Sequence, residues 1–173
     1  REMAERLAIK YGSKNIFAAT RNGMGIMFDE NDVRPMGRTA TGVKAITLSD
    51  DDYVVSADFA DKEDKLLNVT ENGYGKRTDA EAFNVQHRGG KGVKIHQITD
   101  KTGLLSGVIK VSDNEELMIV TSEGVIIRLR GKEISTFGRV SQGVKLINLD
   151  DGVTVAGIAK INEEDIMEEE SKE

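Results

Sequence analysis

Asn22-Gly23-Met24-Gly25, Asn72-Gly73-Tyr74-Gly75 and Glu123-Gly124-Val125-Ile126 each follow an apolar run that ends in a threonine, at Thr20, Thr70 and Thr121. Their first glycines stand at 23, 73 and 124, steps of 50 and 51 residues. A second anchor keeps the same steps: Gly42-Val43-Lys44, Gly92-Val93-Lys94 and Gly143-Val144-Lys145. A third recurs as Ala57, Gly107 and Gly157, each within small and β-branched residues. Three anchors at matching intervals define an internal repeat. A period near 50 built of short strands predicts an all-β, propeller-like array of four-stranded antiparallel blades, one blade per repeat.

In the middle repeat the strands fall at roughly 65–70, 74–78, 93–98 and 104–111, rich in Val, Ile and Leu. The first two are joined by Glu71-Asn72-Gly73, a hairpin signal because asparagine and glycine tolerate positive φ. Long loops at 29–42, 79–92 and 130–143 separate the second and third strands, and loops of that length are functional or serve as crossovers. The repeats divide the chain into blades at 12–62, 63–112 and 113–162. Residues 1–11 read either as the remnant of a preceding blade, from the likeness of Ala8-Ile9-Lys10 to Val108-Ile109-Lys110, or as a short capping helix. Because Arg1 is not an initiator, the chain reads as cut from something longer.

The net charge of −6 over 173 residues is unevenly placed. Residues 163–173 hold seven acids and one base, the composition of a solvated or disordered tail, and the remaining residues balance at 23 of each sign. Residues 65–101 carry a local +3. Cysteine is absent, so no disulfide framework exists. Nothing resembles a signal peptide or an apolar span of membrane length, so a soluble, cytoplasmic, monomeric fragment is expected.

The most distinctive stretch is Gln86-His87-Arg88-Gly89-Gly90-Lys91-Gly92. Its glycines let the backbone approach a ligand closely, and Arg88 and Lys91 supply donors suited to phosphate, with turn amides as additional donors. It lacks the spacing of a Walker A loop. The corresponding loops contain Arg34-Pro35-Met36-Gly37-Arg38 and Phe137-Gly138-Arg139-Val140-Ser141-Gln142-Gly143. Each places an arginine (Arg38, Arg88, Arg139) four residues before the closing glycine and a lysine (Lys44, Lys94, Lys145) two residues after it. Cations at regular steps suit a polyphosphate backbone better than a small anion. Further cations lie on the second strands, Lys76 and Arg77 in the middle repeat and Arg128 and Arg130 in the third; the first-repeat segment Ile26-Met27-Phe28 has none. The two histidines, His87 and His96, lack the third clustered ligand a metal site needs. Paired acids such as Asp50-Asp51-Asp52 and Asp150-Asp151 recur at turns, which turn chemistry explains. No nucleophile–base set is legible. The aromatic content of 5% argues against single-strand binding by base stacking.

Gln86 to Gly92 resembles the seven-residue box of the DNA gyrase A C-terminal domain, Gln-Arg-Arg-Gly-Gly-Lys-Gly, with His87 in place of the first arginine. Residues 34–38 and 138–146 are similar to that family's blade-connecting loops, and the likeness extends up to the acidic tail. The resemblance implies a β-pinwheel, in which neighbouring blades exchange a strand. It also implies a usual set of six blades, of which this chain would be the last three. It implies duplex DNA bent around a basic rim, with the N-terminal part of gyrase A and with gyrase B as partners in a bacterial holoenzyme. That enzyme, a type IIA topoisomerase, uses ATP and Mg on other domains to introduce negative supercoils. Its nucleophilic tyrosine lies elsewhere, so no cofactor is expected in this chain. Two other readings stay open: the equivalent domain of topoisomerase IV, and a protein-interaction propeller without a nucleic-acid role.

Overall fold

The hairpin prediction has a concrete basis in the computed structural model, which describes residues 14–33, 38, 39 and 41–161. At each of the three turns the glycine N–H donates to the threonine carbonyl, Gly23 to Thr20 and Gly124 to Thr121 at 3.0 Å, Gly73 to Thr70 at 3.1 Å. The threonine hydroxyl then accepts from the residue after the glycine: Met24, Tyr74 and Val125 donate at 3.2, 3.2 and 3.1 Å. These glycines sit at φ +82°, +84° and +81°, the left-handed region that side chains avoid.

The turns join β1 (Asn15–Thr20) to β2 (Met24–Asp29), β4 (Lys65–Thr70) to β5 (Tyr74–Asp79), and β8 (Glu116–Thr121) to β9 (Ile126–Arg130). The remaining strands are β3 (Val54–Ala60), β6 (Val93–Lys94), β7 (Leu105–Lys110), β10 (Val144–Lys145) and β11 (Val155–Lys160). All ladders between strands are antiparallel. Beyond the strands, the regular structure among the described residues is three single-turn 3-10 helices, one opening each long loop.

Sheet membership departs from the order of the repeats. The first sheet runs β3-β1-β2-β6 and the second β7-β4-β5-β10, so each is completed by a two-residue strand from the following repeat. This is the strand exchange that the resemblance implied. The third sheet holds three strands, β11-β8-β9, rather than the four expected, because among the described residues no later repeat supplies its outer strand. The long loops are therefore crossovers, and they add parallel bridges at Met27–Val85 and Arg77–Thr136. The proposed remnant at 1–11 and the acidic segment 163–173 lie outside the described residues.

The apolar core lies between the sheets. Phe17, Met27, Leu66, Phe83, Ile95 and Leu105 pack the first against the second, while Leu67, Val69, Leu117, Ile119, Ile134 and Ile147 pack the second against the third. The strands register this difference. In β4 every residue from Leu66 to Thr70 is buried, because both faces are covered; in β8 burial alternates, because one face is open.

Candidate nucleic-acid interface

The outer strands carry the candidate surface, and glycine explains how they reach it. Across the exchange, Met24 pairs with Lys94 and Gly25 with Val93; one repeat later Tyr74 pairs with Lys145 and Gly75 with Val144. A Cβ on Gly25 would stand 2.7 Å from the Ile95 side chain, and one on Gly75 2.5 Å from Leu146. Gly92 and Gly143, at φ +75° and +72°, would drive a Cβ onto the carbonyl oxygens of Gly25 and Gly75. In the second and third copies Gly-Val-Lys thus has a division of labour: glycine closes the seam, valine pairs, and the lysine is left facing solvent. Lys44, Lys91, Lys94 and Lys145 are all exposed, and among the described residues none of them has an ion pair. Arg38 is exposed as well, and Arg34 lies outside the described residues.

The box loop is braced rather than open. The Gln86 N–H donates to Met27 O at 2.8 Å, Gly89 N–H to Ala45 O at 2.7 Å, and Thr47 N–H to Gly90 O at 2.8 Å. Of the turn amides read from sequence as additional phosphate donors, that of Gly89 is therefore occupied, and Gly89 is required by its φ of +86°. A Cβ on Gly90 would stand 3.2 Å from the Gln86 side-chain oxygen. His87 projects from this loop with its side chain 99% exposed, Nδ1 3.5 Å from an Asp32 carboxylate oxygen, and carries charge only when protonated.

Several cations expected on the rim are employed inside the fold. Arg88 donates from Nε to Asp32 O at 2.9 Å and from Nη1 to Lys44 O at 3.1 Å. Arg139 makes the equivalent bond one repeat later, Nη1 to Lys94 O at 2.8 Å. The repeating arginine is thus a strut that holds the main chain under the preceding lysine, and both arginines remain only half exposed. Lys76 is fully buried, a correction to its expected place on the rim. Its ammonium donates to Gly138 O at 2.8 Å and Arg139 O at 2.7 Å. Burial first, then the Arg139 charge, lowers its pKa to about 8. Arg77 is likewise withdrawn at 5% exposure, donating from Nε to Ile134 O at 2.9 Å and from Nη1 to Asp113 at 2.6 Å. That hydrogen bond, reinforced by the guanidinium charge, holds the Asp113 carboxyl below its usual value. Arg128 and Arg130 are exposed but share one carboxylate, Glu116, at 3.1 and 3.5 Å.

His96 is a buried residue next to β6, and neither ring nitrogen has a hydrogen-bond partner. Burial, then the Lys76 charge, lowers its pKa to about 4, against a smaller opposing pull from the nearby Gln142 main chain, which does not reach hydrogen-bond geometry. Among the described residues no three His, Asp or Glu side chains are arranged to hold a metal. Among the aspartates at these turns, Asp52 is a cap: one of its oxygens accepts from the Asn22 and Tyr53 amides at 3.0 and 2.9 Å. One cation was counted in the basic 65–101 stretch but not placed among the candidate site residues: Lys101, exposed in the 100–103 turn, holds its ammonium 5.4 Å from the Tyr74 ring centre, with the Lys145 ammonium 5.9 Å from the same ring. Its signal was a lysine at a step where the first repeat has Asp51.

Residues 14–61, 64–112 and 115–162 each match the family described as DNA gyrase C-terminal domain, beta-propeller. The DNA gyrase A protein of Staphylococcus epidermidis is 46% identical over 169 residues, covering 95% of this chain and 19% of the relative. That of Staphylococcus aureus is 45% identical over 177 residues, covering 100% and 20%. The chain therefore spans about a fifth of the length of these relatives. A solved DNA gyrase A C-terminal domain superposes with a TM-score of 0.80 at 25% identity, covering 87% of this chain and 51% of that one. The C-terminal domain of DNA topoisomerase IV superposes at 0.82 and 26%, covering 93% and 50%. With three consecutive matched repeats, the exchanged strands and the braced box loop, the chain belongs to the DNA gyrase C-terminal domain, beta-propeller family.

Proposed function

We propose that this chain binds duplex DNA without sequence preference along its outer strands. We further propose that, as part of a gyrase A protein in the bacterial cytoplasm, it wraps a DNA segment for negative supercoiling. In this reading the rest of gyrase A, together with gyrase B, supplies the ATP-driven chemistry. One observation carries the proposal: exposed lysines, without ion pairs among the described residues, return at the same step of each repeat, Lys44, Lys94 and Lys145, the latter two on exchanged strands, with Lys91 of the box between them. Phosphate contacts at intervals without base readout are what wrapping requires. Bending a site of some tens of base pairs costs on the order of 1–6 kcal/mol, so contacts must be several and spaced. With about five exposed cations engaged, counting Arg38, log K against log salt should fall with a slope near −4.5.

Binding of two unrelated duplexes across a salt series, followed by fluorescence anisotropy, tests this. Equal affinities and a steep slope are expected, and Lys91→Gln with Lys94→Gln should flatten it by about two units. Strong preference for one sequence, or an unchanged slope, would refute the proposal. A topoisomerase IV role has the structural likeness in its favour. Against it stands the preserved Arg88-Gly89-Gly90-Lys91-Gly92. Holoenzyme carrying this domain should introduce negative supercoils, whereas the topoisomerase IV reading expects relaxation alone.

A further inference from the structure

The three repeats treat one turn position differently. In the first, the Asp51 carboxylate accepts a 3.4 Å bond from the Asn22 side-chain amide. Fifty residues on, the equivalent asparagine, Asn72, donates instead to the main-chain carbonyls of Asp100 and Lys101, each at 3.2 Å. The structural task of the side chain has passed to the backbone, and the released position holds the opposite charge, Lys101. That ammonium does not turn to a carboxylate. It stands 5.4 Å from the centre of the Tyr74 ring, and the Lys145 ammonium approaches the same ring at 5.9 Å. The ring is 8% exposed and forms the floor of an open notch of about 360 Å³. Asp150 and Asp151 line it as well, yet neither lysine is ion-paired with them. Two ammonium groups gathered on one ring and ion-paired with neither carboxylate can donate to an anion: the ring attracts both cations, while Asp150 and Asp151 set an opposing charge beside them.

We propose that Lys101 and Lys145, seated on Tyr74, form a phosphate-binding notch that takes a backbone phosphate of duplex DNA on the second blade. This rests on the duplex-binding reading above, because it is Lys145 that carries the rim register: it faces Tyr74 across the exchanged strand as Lys94 faces Met24. The first blade has no such notch, since Met24 offers no ring and Asp51 no cation. The notch makes the rim uneven, with a doubled cation at the second step.

Salt-dependent duplex binding by the intact chain tests this with Lys101→Gln, Lys101→Asp and, as a rim reference, Lys94→Gln. Lys101→Gln should lower the slope of log K against log salt by about one unit, as Lys94→Gln does. Lys101→Asp, which restores the charge of the first repeat, should weaken binding more than Lys101→Gln at low salt, with the gap closing as salt screens it. Lys101→Gln and Lys101→Asp both matching the parent while Lys94→Gln flattens the slope would overturn the notch and leave the rim reading standing. No duplex binding by the parent chain would overturn both. Circular dichroism melting of each variant separates loss of binding from loss of fold, since the turn holds Lys101 through its main-chain carbonyl.

Discussion

Replacing Lys76 by methionine separates the energetic roles of the interior amine. The side chain is shut off from solvent, and its pKa is lowered from 10.5 to about 8, mainly by burial. A base whose folded pKa is depressed binds fewer protons folded than unfolded between those two values, so wild-type stability rises with pH through that window. Below pH 8 the folded chain carries the full cost of burying the charge. At about 1.4 kcal/mol per pKa unit that cost is on the order of 3 kcal/mol. The figure is a ceiling, since a single loop covers the amine. Lys76→Met removes that cost but leaves Gly138 O and Arg139 O without their donor, at roughly 1 kcal/mol each. The two effects nearly cancel at pH 7. Between pH 7 and about pH 9.5 up to about 2 kcal/mol of that ceiling leaves the wild type, so the variant should lose stability relative to it by at most that amount. Urea unfolding followed by far-ultraviolet circular dichroism at both pH values reads the difference, with slope changes excluded by comparing m-values. A stability difference independent of pH would refute the claim that Lys76 is held as a desolvated ammonium.

The remaining expectations are as specific. Gly143→Ala places a methyl on the Gly75 carbonyl at a φ of +72° and should cost more than about 2 kcal/mol, whereas Gly152→Ala, with open space around its Cβ, suffers only from its φ of +78° and should cost less by the same assay. His96, with its pKa lowered to about 4, keeps fewer protons folded than unfolded below its ordinary value of 6.5. The wild type should therefore lose stability as pH falls from 6.5 toward 4, and His96→Leu should abolish that portion of the acid loss in pH-dependent melting. His87→Arg, at a side chain 99% exposed, should tighten duplex binding and steepen the salt slope by about one unit in anisotropy titrations. Deleting residues 163–173, which hold seven acids and one base, should tighten duplex binding at low salt, the gain fading as salt rises; superimposable low-salt curves would exclude competition by that segment.

The repeat was legible because it is local. Thr70, Asn72 and Gly73 specify a turn by their own chemistry, and the same chemistry at 20–23 and 121–124 announces the period. Strand exchange was not legible from the residues, since β6 is two residues long and its partner lies in the preceding repeat. A period gives repeat boundaries without saying which sheet a strand joins, so only the family resemblance anticipated it. Among the cations, the sequence reports charge and not which carbonyl lies within reach. Yet the repeat did carry the correction for Lys76. Its counterparts are Ile26, 1% exposed, and the half-buried Ile127, so the position points inward in all three blades. Arg77 corresponds to the buried Met27 but also to the exposed Arg128, so at that position the repeat gives no single answer.

That alignment also explains why the lysines at 94 and 145 remain outside. In a β-strand successive side chains take opposite faces, so seating a large residue at 95 or 146 over Gly25 or Gly75 sends the neighbouring lysine outward. The arginine strut then fixes the carbonyl of the lysine itself, Arg88 for Lys44 and Arg139 for Lys94. Seam and surface are thus one device: the closure that joins two blades also sets where a cation emerges. Removing the Lys94 charge leaves Val93 and Gly92 to hold the seam, while Arg139→Ala frees the main chain beneath an intact charge. If the rim acts through position as well as charge, Arg139→Ala must weaken duplex binding without deleting any of the exposed lysines, and Arg139→Lys, whose single ammonium can still reach the Lys94 carbonyl, must recover part of it.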